Sequence, residues 1–105
     1  MTKFVKGSGN VFADLGLPDA DIHLVKAGLV LKIAKTIESK RLSQAAAAEK
    51  LGISQPDVSK ILRGQFRSVT VERLIKWLNA LGQDVEIAVK PARRREQGKL
   101  TCECA

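Results

Sequence analysis

The sequence predicts an all-α domain, a bundle of four to five helices followed by one short C-terminal β-strand. Three observations lead there. Apolar residues recur at three- and four-residue spacing through the middle of the chain, short polar caps and glycines punctuate them, and only between Val85 and Val89 does the period drop to two. At 105 residues with 45% apolar content, the chain suffices for one core and is too short for a catalytic cleft between lobes.

Residues 1–20 hold Gly7, Gly9, Gly16 and Pro18 among scattered Phe4, Val5, Val11 and Phe12. Punctuation outweighs periodicity there, so an N-terminal arm is expected. Asp19 and Asp21 then open a run in which Leu24, Ala27, Val30, Ile33, Ala34 and Ile37 share a face and Lys32 and Lys35 point away. That predicts a helix of roughly 16 to 18 residues, with acids at the positive end of its dipole and Lys40 and Arg41 at the negative end. Ser43 opens a second helix, Gln44 to Leu51, that Gly52 closes. Ser54 caps a third, with Pro56 in its first turn, Asp57 placed to return a capping-box bond, and Gly64 at its end. A fourth runs from about Val71 to Leu81 on the stripe Val71, Leu74, Leu78 and Leu81, and Gly82 stops it.

Beyond that helix, Val85, Ile87 and Val89 alternate with Glu86, Ala88 and Lys90 as far as Pro91, a strand with no evident mate. Its backbone groups need an edge from the arm, from another protein or from a second copy, and a two-fold axis satisfies them with a single surface. Val85, Ile87 and Val89 are therefore expected at a homodimer interface, together with Trp77, whose ring suits core or dimer packing better than base stacking. The folded domain is expected over residues 21–91. Residues 92–105, with Arg93, Arg94 and Arg95 in a row, read as a disordered basic tail. Cys102 and Cys104 stand so close that a disulfide between them would be strained, and they are expected as reduced thiols.

The formal net charge is +7, and residues 25–90 carry twelve bases against six acids. The surplus sits in the folded middle, so polyanionic partners are the expectation. No run approaches the roughly 20 apolar residues of a membrane span, and the start lacks the apolar stretch of a secretory signal, which favours a cytoplasmic protein with no membrane partner. Enzyme readings find no residues to stand on. His23 is the only histidine, Ser43 and Ser54 have capping roles, and Gly7 and Gly9 lack the context of a phosphate loop, so no catalytic residue, cofactor or metal is expected.

The stretch Gln44 to Arg63 is different in kind. Of its twenty residues, Ala48 is the fifth, Gly52 the ninth and Val58 the fifteenth. Two short helices crossing at roughly 100° need a small residue where their backbones approach, a glycine at the turn, and a β-branched residue where the second packs on the first. No charge or proline interrupts the inward positions Ala47, Ala48, Leu51, Val58, Ile61 and Leu62. This is the pattern of a helix-turn-helix.

Residues 42–64, LSQAAAAEKLGISQPDVSKILRG, resemble position by position the motif of the phage repressor and Cro group, the XRE family. With the flanking helices the resemblance spans roughly residues 24–82. The longer succession of NVFADLGLP, a lysine-bearing helix, the motif, a further helix and VEIAV is similar to the HigA-type antitoxins. The resemblance implies a lambda-repressor-like fold and a homodimer that binds double-stranded DNA at a palindromic operator. It also implies repression of its own operon and neutralisation of a toxin protein, a RelE-like nuclease.

Carried over by position, Gln44 matches a phosphate-contacting residue, and Ser54 and Arg63 match phosphate contacts at the two ends of the recognition helix. Gln55, Pro56, Ser59 and Lys60 match positions that face base edges, and Arg67 and Ser68 match a loop that touches phosphate or the minor groove. The chemistry agrees: glutamine pairs with adenine, lysine reaches guanine acceptors, and proline meets a thymine methyl. Pro56 departs from the family's usual polar residue, which shifts weight to shape readout. Two other readings remain at this point, a stand-alone XRE-type regulator without a toxin and a protein-interaction module that adds its strand to a partner's sheet.

Overall fold

The computed structural model describes residues 20–92 and 97–103. Four helices follow in order: α1 (Ala20–Ser39), α2 (Gln44–Leu51), α3 (Gln55–Leu62) and α4 (Val71–Ala80). The expected arm lies outside the described residues except for Ala20, which already belongs to α1.

At 20 residues α1 is longer than its periodicity suggested, and its buried face is turned by about one position. Val25, Gly28, Leu29, Val30, Ile33, Thr36 and Ile37 are buried, whereas Leu24, Ala27 and Ala34 are only half-buried. A threonine can lie on the inner face because its Oγ1 donates to the Lys32 carbonyl at 2.8 Å, which satisfies the hydroxyl within the helix. Lys40 goes beyond expectation. Its ammonium lies against Gly82, just past the end of α4, so it also complements that helix's negative pole.

The helix starts follow local chemistry. The Ser43 hydroxyl accepts from the Ala46 amide at 3.0 Å and the Ser54 hydroxyl from the Asp57 amide at 3.2 Å, as their positions predict. Thr70 caps α4 in the same way, accepting from Arg73 at 3.2 Å. Among the described residues no bond returns from the Asp57 carboxylate, which is exposed. Its side chain is one methylene shorter than the glutamate of a full capping box.

The ends of α1 and α2 use one device with different residues. At α2 the Gly52 amide donates to the Ala48 carbonyl at 2.9 Å and the Ile53 amide to the same oxygen at 3.1 Å, with Gly52 at φ 71°. At α1 the Arg41 amide reaches Glu38 and the Leu42 amide reaches Ile37, both at 3.0 Å, with Arg41 at φ 54°. The left-handed backbone that closes both caps suits a residue without Cβ. Arg41 holds it against its own preference.

Packing joins these pieces into a scaffold and a passenger. α1 packs chiefly on α4, and α2 chiefly on α3. Ile33, Leu74 and Leu81 form the centre, and Ala47 and Val58, at 0% and 2% exposure, seat the α2–α3 pair on it. The expected inward positions Ala47, Ala48, Val58 and Ile61 are buried, while Leu51 and Leu62 are half-buried at its margin.

The expected C-terminal strand is not formed. Residues 83–90 adopt neither helix nor strand, and the described residues contain no strand at all. A single ladder-forming segment in one chain has no edge to pair with, so alternation alone does not make a strand. Val85 is half-buried against the core, but Ile87 is 78% and Val89 94% exposed. The tail is not wholly solvated either, because Cys102 packs against the core. Cys102 is also disulfide-bonded, and no described cysteine is free, which corrects the expectation of a reduced thiol. Cys104, the other cysteine of the chain, lies outside the described residues.

The two caps predict opposite responses to mutation. Arg41→Gly relieves the strained backbone and should raise stability by about 0.5–1 kcal/mol. Gly52→Ala, which meets no neighbouring atom within 4 Å, should lower it by about 1 kcal/mol through backbone conformation alone. Urea denaturation of the two variants with unchanged slope checks both signs.

Candidate nucleic-acid interface

The inner face of α3 is set by Val58 and Ile61, and the half-turn geometry of a helix then decides what is left outside. At about 100° per residue, Pro56, Lys60 and Arg63 lie opposite Val58, Ile61 and Leu62, with Ser59 and Gln55 on one flank and Asp57 on the other. Gln55, Pro56, Lys60 and Arg63 are exposed and Ser59 is half-buried. Of the four residues assigned to base edges, Gln55, Pro56 and Lys60 therefore stand clear of the core, and Ser59 sits at its margin.

Exposed polar groups stand at the starts of α2 and α3 and at the end of α3. Gln44 is exposed at the first position of α2. Ser54 uses its hydroxyl oxygen to accept from Asp57, which leaves the hydroxyl proton for an outside acceptor. At the other end, Arg63 Nε donates to the Ser59 carbonyl at 3.3 Å. That bond lays the guanidinium back along α3 and leaves its other N–H groups for a bidentate anion contact.

Arg67 and Ser68 are exposed on the loop after α3, and this loop is tethered by residues that the sequence did not mark as functional. Phe66 is buried and its ring stacks on His23 of α1, with centroids 5.1 Å apart and planes at 14°. Lys26, one turn further along α1, donates from Nζ to the Arg67 carbonyl at 2.8 Å. The pair His23 and Lys26 thus anchors the loop to the scaffold from one helical stripe. An aromatic residue inside an otherwise polar loop, between Gly64 and Ser68, was the available signal.

Trp77 stands apart from this surface. It is 7% exposed in the core, and the Arg73 guanidinium sits 5.2 Å from its ring, a cation–π contact one turn away. The single chain already covers most of its ring. Val85, Ile87 and Val89 remain on the surface side of the molecule. Among the described residues no cluster of three or more His, Cys, Asp or Glu could hold a metal ion, and no helix is long and apolar enough to cross a membrane.

Burial, then the charges of Arg67 and Lys26, hold the His23 imidazole below its ordinary value of 6.5. In the window below 6.5 the unfolded chain binds more protons than the folded one. Stability is therefore full above that value and declines as pH falls through the window, levelling off beneath the folded pKa. The melting temperature should drop between about pH 7.5 and about pH 5.5, a range that leaves most carboxylates charged. His23→Phe, which keeps an aromatic ring against Phe66, should show a smaller drop; an equal drop in both proteins would place the effect elsewhere.

Comparison with known proteins agrees with this geometry. A family model described as a helix-turn-helix domain matches residues 11–90. A solved structure named as an XRE-family transcriptional regulator is similar at 43% identity and a TM-score of 0.71, covering 77% of this chain and 91% of that one. No curated protein matches.

Proposed function

The chain belongs to the helix-turn-helix domain family, and from that membership we propose that it is a sequence-specific DNA-binding transcriptional regulator of the XRE type. The observation that carries the reading is the outward face of α3. Val58 and Ile61 hold the helix on the core while Gln55, Pro56 and Lys60 stand exposed. Amide, apolar ring and ammonium suit, in turn, the donor–acceptor edge of adenine, the methyl of thymine and the acceptors of guanine in a major groove. Gln44, Ser54, Arg63, Arg67 and Ser68 flank them and supply the contacts that set register on the phosphates.

Ser59 completes the base-facing set, and its half-buried position limits it to a short contact. The cationic members make affinity fall with salt, with a log-log slope of roughly −0.9 for each phosphate neutralised. Two copies related by a two-fold axis would place their α3 helices in successive major grooves about 34 Å apart, on a palindromic operator. The dimer is assigned to Val85, Ile87 and Val89.

The finer reading is an antitoxin that represses its own operon and neutralises a RelE-like toxin. Its support is the similarity of NVFADLGLP, the lysine-bearing helix, the motif and VEIAV to HigA-type antitoxins. The similar solved structure is named only as a regulator, so a regulator without a toxin is the second reading. A nuclease encoded beside this chain that co-purifies with it selects the first.

Anisotropy titrations with the chain's own promoter test the DNA reading. Gln55→Ala and Lys60→Ala should each cost roughly 1–3 kcal/mol at the cognate site and relax base preference, whereas Gln44→Ala should weaken cognate and random DNA alike. Equal losses on both DNAs for all three variants would remove the division into base and phosphate readers. A wild-type chain that binds every sequence equally, or none, would overturn the reading itself.

A further inference from the structure

The segment Asp84 to Lys90 is almost fully exposed, in neither helix nor strand, and adjacent to the core through Val85 alone. We propose that it pairs with the same segment of a second copy, antiparallel, in one register, with the two-fold axis through Ile87; this rests on the dimer assigned above. The argument is the self-complementarity of the seven residues. With the axis at Ile87, that residue faces its own copy, Glu86 faces Ala88, Val85 faces Val89, and Asp84 faces Lys90. The apolar positions meet apolar positions and the terminal charges meet their opposites, twice over.

Other registers do worse. Shifting by an odd step places the apolar face of one copy against the polar face of the other, because side chains alternate between faces. An axis at Glu86 sets that carboxylate opposite its own copy, which is unfavourable. An axis at Ala88 pairs Glu86 with Lys90, but it brings Pro91, which has no amide hydrogen, opposite Val85 and leaves Asp84 without a cation.

The Ile87 register also connects to the folded core. Val85 is half-buried against the helices, and the partner's Val89 would lie directly beside it. Each copy's most exposed apolar residue, Val89 at 94%, is then covered by the other copy at the edge of its core, and Ile87 is covered at the axis. The pairing also supplies the ladder partner whose lack leaves the segment without strand structure in one chain.

Charge reversal in the full chain, followed by sedimentation at low salt without DNA, tests the register separately from the DNA reading. Asp84→Lys and Lys90→Asp should each weaken self-association about tenfold, and the double reversal should restore it to within about threefold. Oxidation of Ile87→Cys, in a chain with Cys102→Ser and Cys104→Ser, should give a covalent dimer, and Ala88→Cys should not. Single reversals without effect, or a double reversal that stays weak, would overturn the register. So would restoration by Glu86→Lys with Lys90→Glu, which belongs to the axis at Ala88. A wild-type chain that sediments as a monomer at all concentrations overturns the dimer and its register together, and leaves the DNA contacts of α3 to stand on their own titrations.

Discussion

Ala47 and Val58 are both sealed in the one core at almost no exposure, and the remainder of the molecule is arranged around the seat they give the α2–α3 pair. A larger side chain at Ala47 would push α2 off the scaffold, because interiors packed at crystal density have no slack to absorb it. With both residues seated, α3 has one orientation. Its outward residues are then chosen by helical geometry, and the surface that could meet a duplex is a by-product of the way the inner one packs.

The scaffold does more than hold this pair. α1 buries seven residues along 20, packs on α4, and extends a second grip to the loop beyond α3 through His23 and Lys26. The loop-borne Arg67 and the helix-borne Lys60 are therefore referred to the same rigid body by different routes. The proposed division between a base-facing Lys60 and a phosphate-facing Arg67 needs such fixed relative positions, since contacts to a regular duplex add up only when their spacing is held. Pro56 contributes to the same end by stiffening the first turn of α3, where its missing amide hydrogen costs nothing.

Much of this was legible from local patterns. Ser43 and Ser54 announce their helices because a cap bonds an amide only three residues away, and Gly52 announces an end for a similarly local reason. The inner positions of the helix-turn-helix were legible because helical period and turn length together leave few alternatives. The face of α1 was misjudged by about one position, since Thr36 looks polar until its bond to Lys32 is seen. The VEIAV alternation predicts a strand that the single chain does not form, because strand structure depends on a partner edge that no run of residues contains.

Caps and turns could be read from neighbours along the chain, because the bonds that make them span five residues or fewer, and the helix-turn-helix core could be read because helical period and turn length fix how its positions relate. The tether from Lys26 to Arg67 joins positions 41 apart, and the burial of Trp77, the stacking of Phe66 on His23 and the placement of Lys40 against α4 are of the same sort. These follow from how the helices come together in space, and a one-dimensional period carries no record of which distant residues will share a surface.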